Sequence, residues 1–187
     1  MDAIESGILA RLTERFPALG EARAVTAARR IFLNVPADDF LDILAFAVHE
    51  LGFGHLCAIT GLDDGGGFEF IYHISNLDGV VLNLKYQTRS GDGVVIPSVL
   101  PVFNGASFYE RELEGLLGVK VDGLPKSRQY PLPDNWPEGQ YPMRKDWKPA
   151  VTGILEGGRA NEQDNDSVGA AAPRPGGAGK LQSAAGR

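Results

Sequence analysis

Between residues 130 and 149 the chain can be neither a helix nor an interior strand, because prolines stand at 131, 133, 137, 142 and 149. Each proline fixes its own φ, lacks an N–H donor and pushes the preceding residue toward extended backbone. What remains is an extended strap. Large rings stand between its prolines: Tyr130, Trp136, Tyr141 and Trp147. A stiff ribbon cannot build a core from its own side chains, so these rings need another surface. Aromatic anchors with arginine are what interface centres use. The run Arg144-Lys145-Asp146 adds fixed charge. The strap reads as a docking element, against its own domain, a different polypeptide, or each along part of its length.

Composition divides the rest. Residues 1–119 read as a folded α/β core domain, 120–150 as the strap, and 157–187 as a Gly/Ala/Ser/Pro/Asn-rich tail. The tail holds too little apolar surface to offset chain entropy and is expected to be disordered. A net charge of −6 argues against a general nucleic-acid binder. The single cysteine, Cys57, excludes a disulfide within the chain and a cluster held by four of its own thiolates. No basic, apolar leader opens the sequence and no run approaches the ~20 apolar residues that span a bilayer. A cytoplasmic protein with indirect membrane contact is expected.

Within the domain, Ile8, Leu12 and Phe16 recur at helical spacing over 4–16, before Pro17 and Gly20. Residues 30–36 form a short apolar strand closed by Pro36. Phe40, Leu44, Ala47, Val48 and Leu51 make one face of a second helix, with Asp38 and Asp39 at its positive end and Gly52 and Gly54 beyond it. Residues 55–61 form a strand. Phe68, Phe70, Tyr72 and Ile74, then Leu82, Leu84 and Tyr86, alternate with more polar neighbours around the turn 76–79, predicting an antiparallel hairpin. Residues 94–100 give an edge strand or a strap, because of Pro97 and Pro101. A third helix covers 106–117 with Tyr109, Leu113, Leu116 and Leu117 on one face, stopped by Gly118. The order predicts an α+β fold, an antiparallel or mixed sheet with helices packed on one face.

The search for chemistry is mostly negative. Asp63-Asp-Gly-Gly-Gly67 joins two strands, so it reads as a turn and not a phosphate loop. His49, His55 and His73 lack the tight spacing of metal ligands. Cys57 lies in an apolar strand and reads as an inert core thiol. Glu110 and Glu114 share a helix face, four residues apart, and read as solvated or facing a partner's basic groups. No catalytic residue, cofactor site or metal site is assigned. A free-standing enzyme using His73 with Glu110 or Glu112, and a free-standing peptide- or ligand-binding module using the hairpin edge, stand as rival readings.

Tyr109-Glu-Arg-Glu112, Leu116-Leu-Gly118 and Tyr141-Pro-Met-Arg-Lys-Asp146 resemble the signature of the 30-kDa subunit family of NADH:quinone oxidoreductase, complex I. Val95-Ile-Pro-Ser-Val99 is similar to the same family's segment before the helix, and the resemblance covers roughly residues 25–150. Two stretches depart from the family pattern. Gly115-Leu-Leu-Gly118 stands where the family has Asp-Met/Leu-Phe-Gly, and Lys126-Ser-Arg-Gln129 where it has an aspartate and two arginines. Pro133-Asp-Asn-Trp-Pro-Glu-Gly139 resembles the version in energy-converting nickel–iron hydrogenases.

The resemblance implies a cofactor-free structural subunit on the hydrophilic arm of a membrane-associated oxidoreductase, nearer the hydrogenase branch, with the respiratory complex as the alternative. It implies docking on the large catalytic subunit beside iron–sulfur subunits, on the cytoplasmic face of the inner membrane. The residues expected to face partners are Tyr109, Glu110, Arg111, Glu112, Trp136, Tyr141, Arg144, Lys145, Asp146 and Trp147.

Overall fold

The structure is a computed structural model that describes residues 3–19, 23–128 and 130–149, with backbone alone for 23–26. The chain divides into two units, 1–148 and 149–187; the fold below is that of the first. The expected disordered tail lies outside the described residues.

A five-stranded mixed sheet forms the centre. Its strands are β1 (Arg23–Ala27), β2 (Arg30–Asn34), β3 (His55–Asp63), β4 (Gly67–Ser75) and β5 (Val81–Arg89), in the order β1-β2-β5-β4-β3. The β2–β5 pair is parallel, and the other neighbours are antiparallel. The predicted hairpin is β4–β5, with Phe70 opposite Tyr86 and Tyr72 opposite Leu84. Its turn is set by Asn76, whose Oδ1 accepts from the Val80 N–H at 3.0 Å. The glycine-rich stretch is a strand connection held by carboxylates: Asp64 Oδ1 accepts from the Gly66 and Gly67 N–H groups, each at 2.8 Å. Those two N–H groups hold the Asp64 carboxyl below its ordinary range.

Alternation puts Phe68, Phe70, Tyr72 and Ile74 of β4 on the same side as Leu82, Leu84 and Tyr86 of β5, and all are buried. Helix α1 (Ala3–Arg15) buries Ile8, Leu9 and Leu12. Helix α2 (Phe40–His49) buries Phe40, Ile43, Leu44 and Ala47. Phe40 is the centrepiece, with ring centroids 4.5 Å from Tyr72 and 4.7 Å from Tyr86. Phe16 meets Phe46 edge-on at 5.6 Å, joining the end of α1 to α2. The expected α2 face is shifted by one position: Ile43 is buried, while Val48 and Leu51 are only half-buried.

Three differences from the sequence reading have physical causes. First, β1 was not anticipated; it is a short strand paired with β2 at the sheet edge. Second, β6 (Val95–Pro97) pairs in parallel with β7 (Lys120–Asp122), so the expected edge segment belongs to a separate two-stranded sheet and ordered pairing continues past residue 119. Third, Cys57 is exposed, because the β3–β4 register shifts between Leu56 and Ala58 and leaves it at the irregularity.

Helix α3 (Ser107–Leu117), entered through a 3-10 turn at Asn104–Ala106, packs against β3. Gly61 makes that approach possible: a Cβ there would stand 2.4 Å from a methyl of Leu113. Gly118, at φ 71°, closes α3, with its N–H bonded to the Glu114 carbonyl at 3.0 Å.

Candidate functional site

Helix α3 carries two carboxylates with inward duties. Glu110 lies on the buried stripe with Leu113 and Leu117 and is fully buried. Its Oε2 accepts from the Ser98 hydroxyl at 2.8 Å and its Oε1 from the Val99 N–H at 2.6 Å. Loss of water raises its pKa, and those two donors offset only part of the rise. Glu114 Oε1 accepts from the Val121 N–H at 3.0 Å. The two acids therefore tie α3 to the segment after β6 and to β7. The expectation of a solvated or partner-facing Glu110 is corrected: the residue is internal, and its donors come from a segment 11–12 positions earlier. Burial pushes the Tyr86 phenol up to about 12 and raises the Tyr72 phenol well above its ordinary value.

Past β7 the chain returns across the last turns of α3. Gly115 accepts it closely, since a Cβ there would lie 2.4 Å from the Tyr130 carbonyl oxygen. At Gly118 a Cβ would meet the Tyr141 ring at 2.4 Å. The anchor is Arg144, whose side chain is 10% exposed. Its Nε donates to the Leu117 carbonyl at 2.6 Å and its Nη1 to Asp92 at 2.7 Å. The guanidinium lies over Tyr141 at 4.3 Å and Phe68 at 5.6 Å. A cation on the last carbonyls of a helix satisfies orphan acceptors and meets the negative end of the helix dipole. Asp92 is open to water, so that ion pair adds at most about 1 kcal/mol. The neighbouring N–H groups join in, Met143 to the Leu116 carbonyl at 3.1 Å and Lys145 to Asp63 Oδ2 at 2.9 Å.

The tryptophans are brought together, not spread along a ribbon. Trp136 and Trp147 stack with centroids 6.1 Å apart. Gln140 ties both: its backbone carbonyl takes the Trp136 indole N–H at 2.8 Å, its side-chain oxygen that of Trp147 at 3.0 Å. Both indoles stay half-buried. Tyr109 donates to the Cys57 carbonyl at 3.2 Å, Arg111 to the Pro125 carbonyl at 3.3 Å, and Glu112 lines a groove with Ile59, Leu116 and Met143. Lys145 and Asp146 are exposed. The strap thus splits: Arg144 is engaged within the chain, while Trp136, Trp147 and Asp146 keep outward surface, as does Arg111 on α3. Sequence reasoning missed Phe108, 61% exposed and edge-on to Tyr130 at 5.6 Å. Its signal was a large apolar residue off the buried stripe of α3.

His73 bonds Thr60 at 3.0 Å and Asn83 at 2.5 Å on the sheet face opposite Tyr72, and His49 and His55 are exposed. Among the described residues no three His, Cys, Asp or Glu side chains converge as a metal site would need.

Fold and site together define a mixed-sheet α+β domain bearing an anchored aromatic strap. The model for the respiratory-chain NADH dehydrogenase 30-kDa subunit matches residues 33–152, and the chain belongs to that family. It is 30% identical to a subunit of the F(420)H(2) dehydrogenase of Methanosarcina mazei, over 75% of this chain and 90% of that one. It is 27% identical to formate hydrogenlyase subunit 5 of Escherichia coli over 74% of this chain, but only 25% of that relative's length. Among solved structures, a chain of the membrane-bound sulfane sulfur reductase, an archaeal respiratory membrane complex, matches with TM-score 0.70 and 25% identity, over 88% of this chain and 95% of that one. No helix among the described residues is long and apolar enough to cross a membrane.

Proposed function

We propose that the chain is a non-catalytic subunit of the hydrophilic arm of a membrane-associated oxidoreductase, seated on the large catalytic subunit by its strap and carrying no cofactor. The observation behind this reading is the division of labour in the strap. Arg144 fixes the ribbon to α3, and the paired indoles are already ordered by Gln140 yet keep open surface. Aromatics presented in a fixed geometry lose little freedom on binding, which is how interface anchors gain affinity. Tyr109, Arg111, Glu112, Tyr141, Lys145 and Asp146 would surround them; Glu110 and Arg144 shape the face from inside. The match to a quarter of formate hydrogenlyase subunit 5 supports a partner of considerable size, because there the same domain is part of a much longer chain.

The test is affinity purification of the tagged full chain from its own membranes in mild detergent, followed by mass spectrometry. A large oxidoreductase subunit is expected in the eluate, and Trp136→Ala with Trp147→Ala should weaken its retention roughly 30-fold, as loss of a 2 kcal/mol hot spot would. A monodisperse chain recovered alone would overturn the reading. The hydrogenase branch is retained from the Pro133-Asp-Asn-Trp-Pro-Glu-Gly139 resemblance. Nickel in the purified assembly is its expected mark, and a nickel-free quinone reductase would move the chain to the respiratory branch.

A further inference from the structure

Arg111, on α3, forms no ion pair among the described residues, although its charge acts on Glu110 at longer range. Arg111 lines a cleft of about 390 Å³ with Phe108, Ser127, Arg128, Tyr130 and Leu132. Arg128 is paired with Asp134 at 2.6 Å across the same cleft. Arg111 has no carboxylate within ion-pair distance among the described residues; its partner there is the neutral Pro125 carbonyl at 3.3 Å. Glu114 and Glu138 line an adjoining cavity that shares Arg111, Ser127, Arg128 and Tyr130; neither is within ion-pair distance of Arg111, and Glu114 is engaged by the Val121 N–H. The cleft is firmly built, because the Tyr130 carbonyl is pressed against Gly115 and the Tyr130 ring against Phe108. The setting is unusual for this molecule. Residues 1–119 hold 16 acidic against 8 basic side chains, whereas 120–149 hold 6 basic against 4 acidic. Arg111 itself stands in the acidic interval, between Glu110 and Glu112 on α3, and the strap across the cleft from it supplies the basic excess.

Resting on the docking reading above, we infer that this cleft receives a carboxylate side chain of the partner subunit, an Asp or Glu flanked by apolar residues. The carboxylate would take the fork of Arg111, while its neighbours cover Phe108 and Tyr130. A guanidinium presents paired N–H donors that match two carboxylate oxygens, and exclusion of water by flanking rings strengthens that bond. Charge complementarity also selects against a basic partner surface here.

The experiment uses the tagged full chain in the assembly purified from its own membranes. R111K places an amine where the guanidinium stood, and carbodiimide joins an amine to a carboxylate with no spacer. Peptide mapping should find position 111 joined to an Asp or Glu of another subunit. Should that variant fail to assemble, phenylglyoxal modification of wild-type Arg111 gives the second reading: protection in the assembly relative to the isolated chain is expected, and equal modification in both would overturn the inference. Arg111→Glu, tested beside the wild type, should lower recovery of the partner at least tenfold. If the partner co-purifies but the lysine is joined only to acids of its own chain, or to nothing, the inference is overturned and the docking reading stands. If no partner accompanies the wild-type chain, it is the docking reading that has failed.

Discussion

Burial strips water from the Glu110 carboxylate, and the Ser98 hydroxyl and Val99 N–H replace only part of it. Its folded-state pKa therefore lies above the 4.5 of the free side chain. A group of this kind binds its proton more tightly folded than unfolded, so its contribution to stability is complete below the unfolded value and is lost as pH rises through the folded one. Wild type should therefore gain stability relative to Glu110→Gln as pH falls toward 4.5, measured as the difference in thermal midpoint across a pH series. A difference that does not change with pH would show that the carboxyl is not shifted. This residue also marks a limit of reading from sequence. Glu110-Arg-Glu-Leu-Glu114 looks like a solvated charge run, and only the return of Ser98 and Val99 beside the helix turns one of its acids inward.

At the scale of elements, legibility followed pattern length. The alternation in β4 and β5 and the helical period of α2 each span enough residues to declare themselves, and the structure has these elements where expected, with the buried face of α2 moved to include Ile43. β1 and β7 were hidden for a different reason. They are five and three residues long, and each exists because a distant partner, β2 or β6, offers backbone to pair with. The strap was legible as extended chain from its prolines. That its tryptophans would face one another was not, since Gln140 carries no signal beyond an ordinary polar residue. The burden within the core falls on the α2–sheet contact. Phe40→Ala removes the ring held between Tyr72 and Tyr86 and should cost about 3–5 kcal/mol in urea unfolding. A loss below about 1 kcal/mol would mean that α2 contributes little to the sheet's stability.

For the whole molecule, strand pairing among the described residues runs past Val119 into β7. A chain cut after Val119 loses the β6–β7 pairing, the Val121 N–H that satisfies Glu114, and the burial of the Val121 side chain. A chain cut after Leu124 keeps all three. The shorter piece should unfold at least about 2 kcal/mol more easily, counting one buried valine and one charged hydrogen bond. Denaturant curves on the two truncations measure this, and equal stabilities would contradict the role given to β7. The longer piece should fold yet fail to retain the large subunit, which separates loss of docking from loss of the domain.

Both of the chain's tryptophans belong to the stacked pair closed by Gln140. Indole emission from this protein therefore arises wholly in the strap, and none of it in the sheet or helices. A shift in fluorescence wavelength or quenching would report the capture or release of that segment directly, in real time and without a dye, while far-ultraviolet signals follow the domain beneath it.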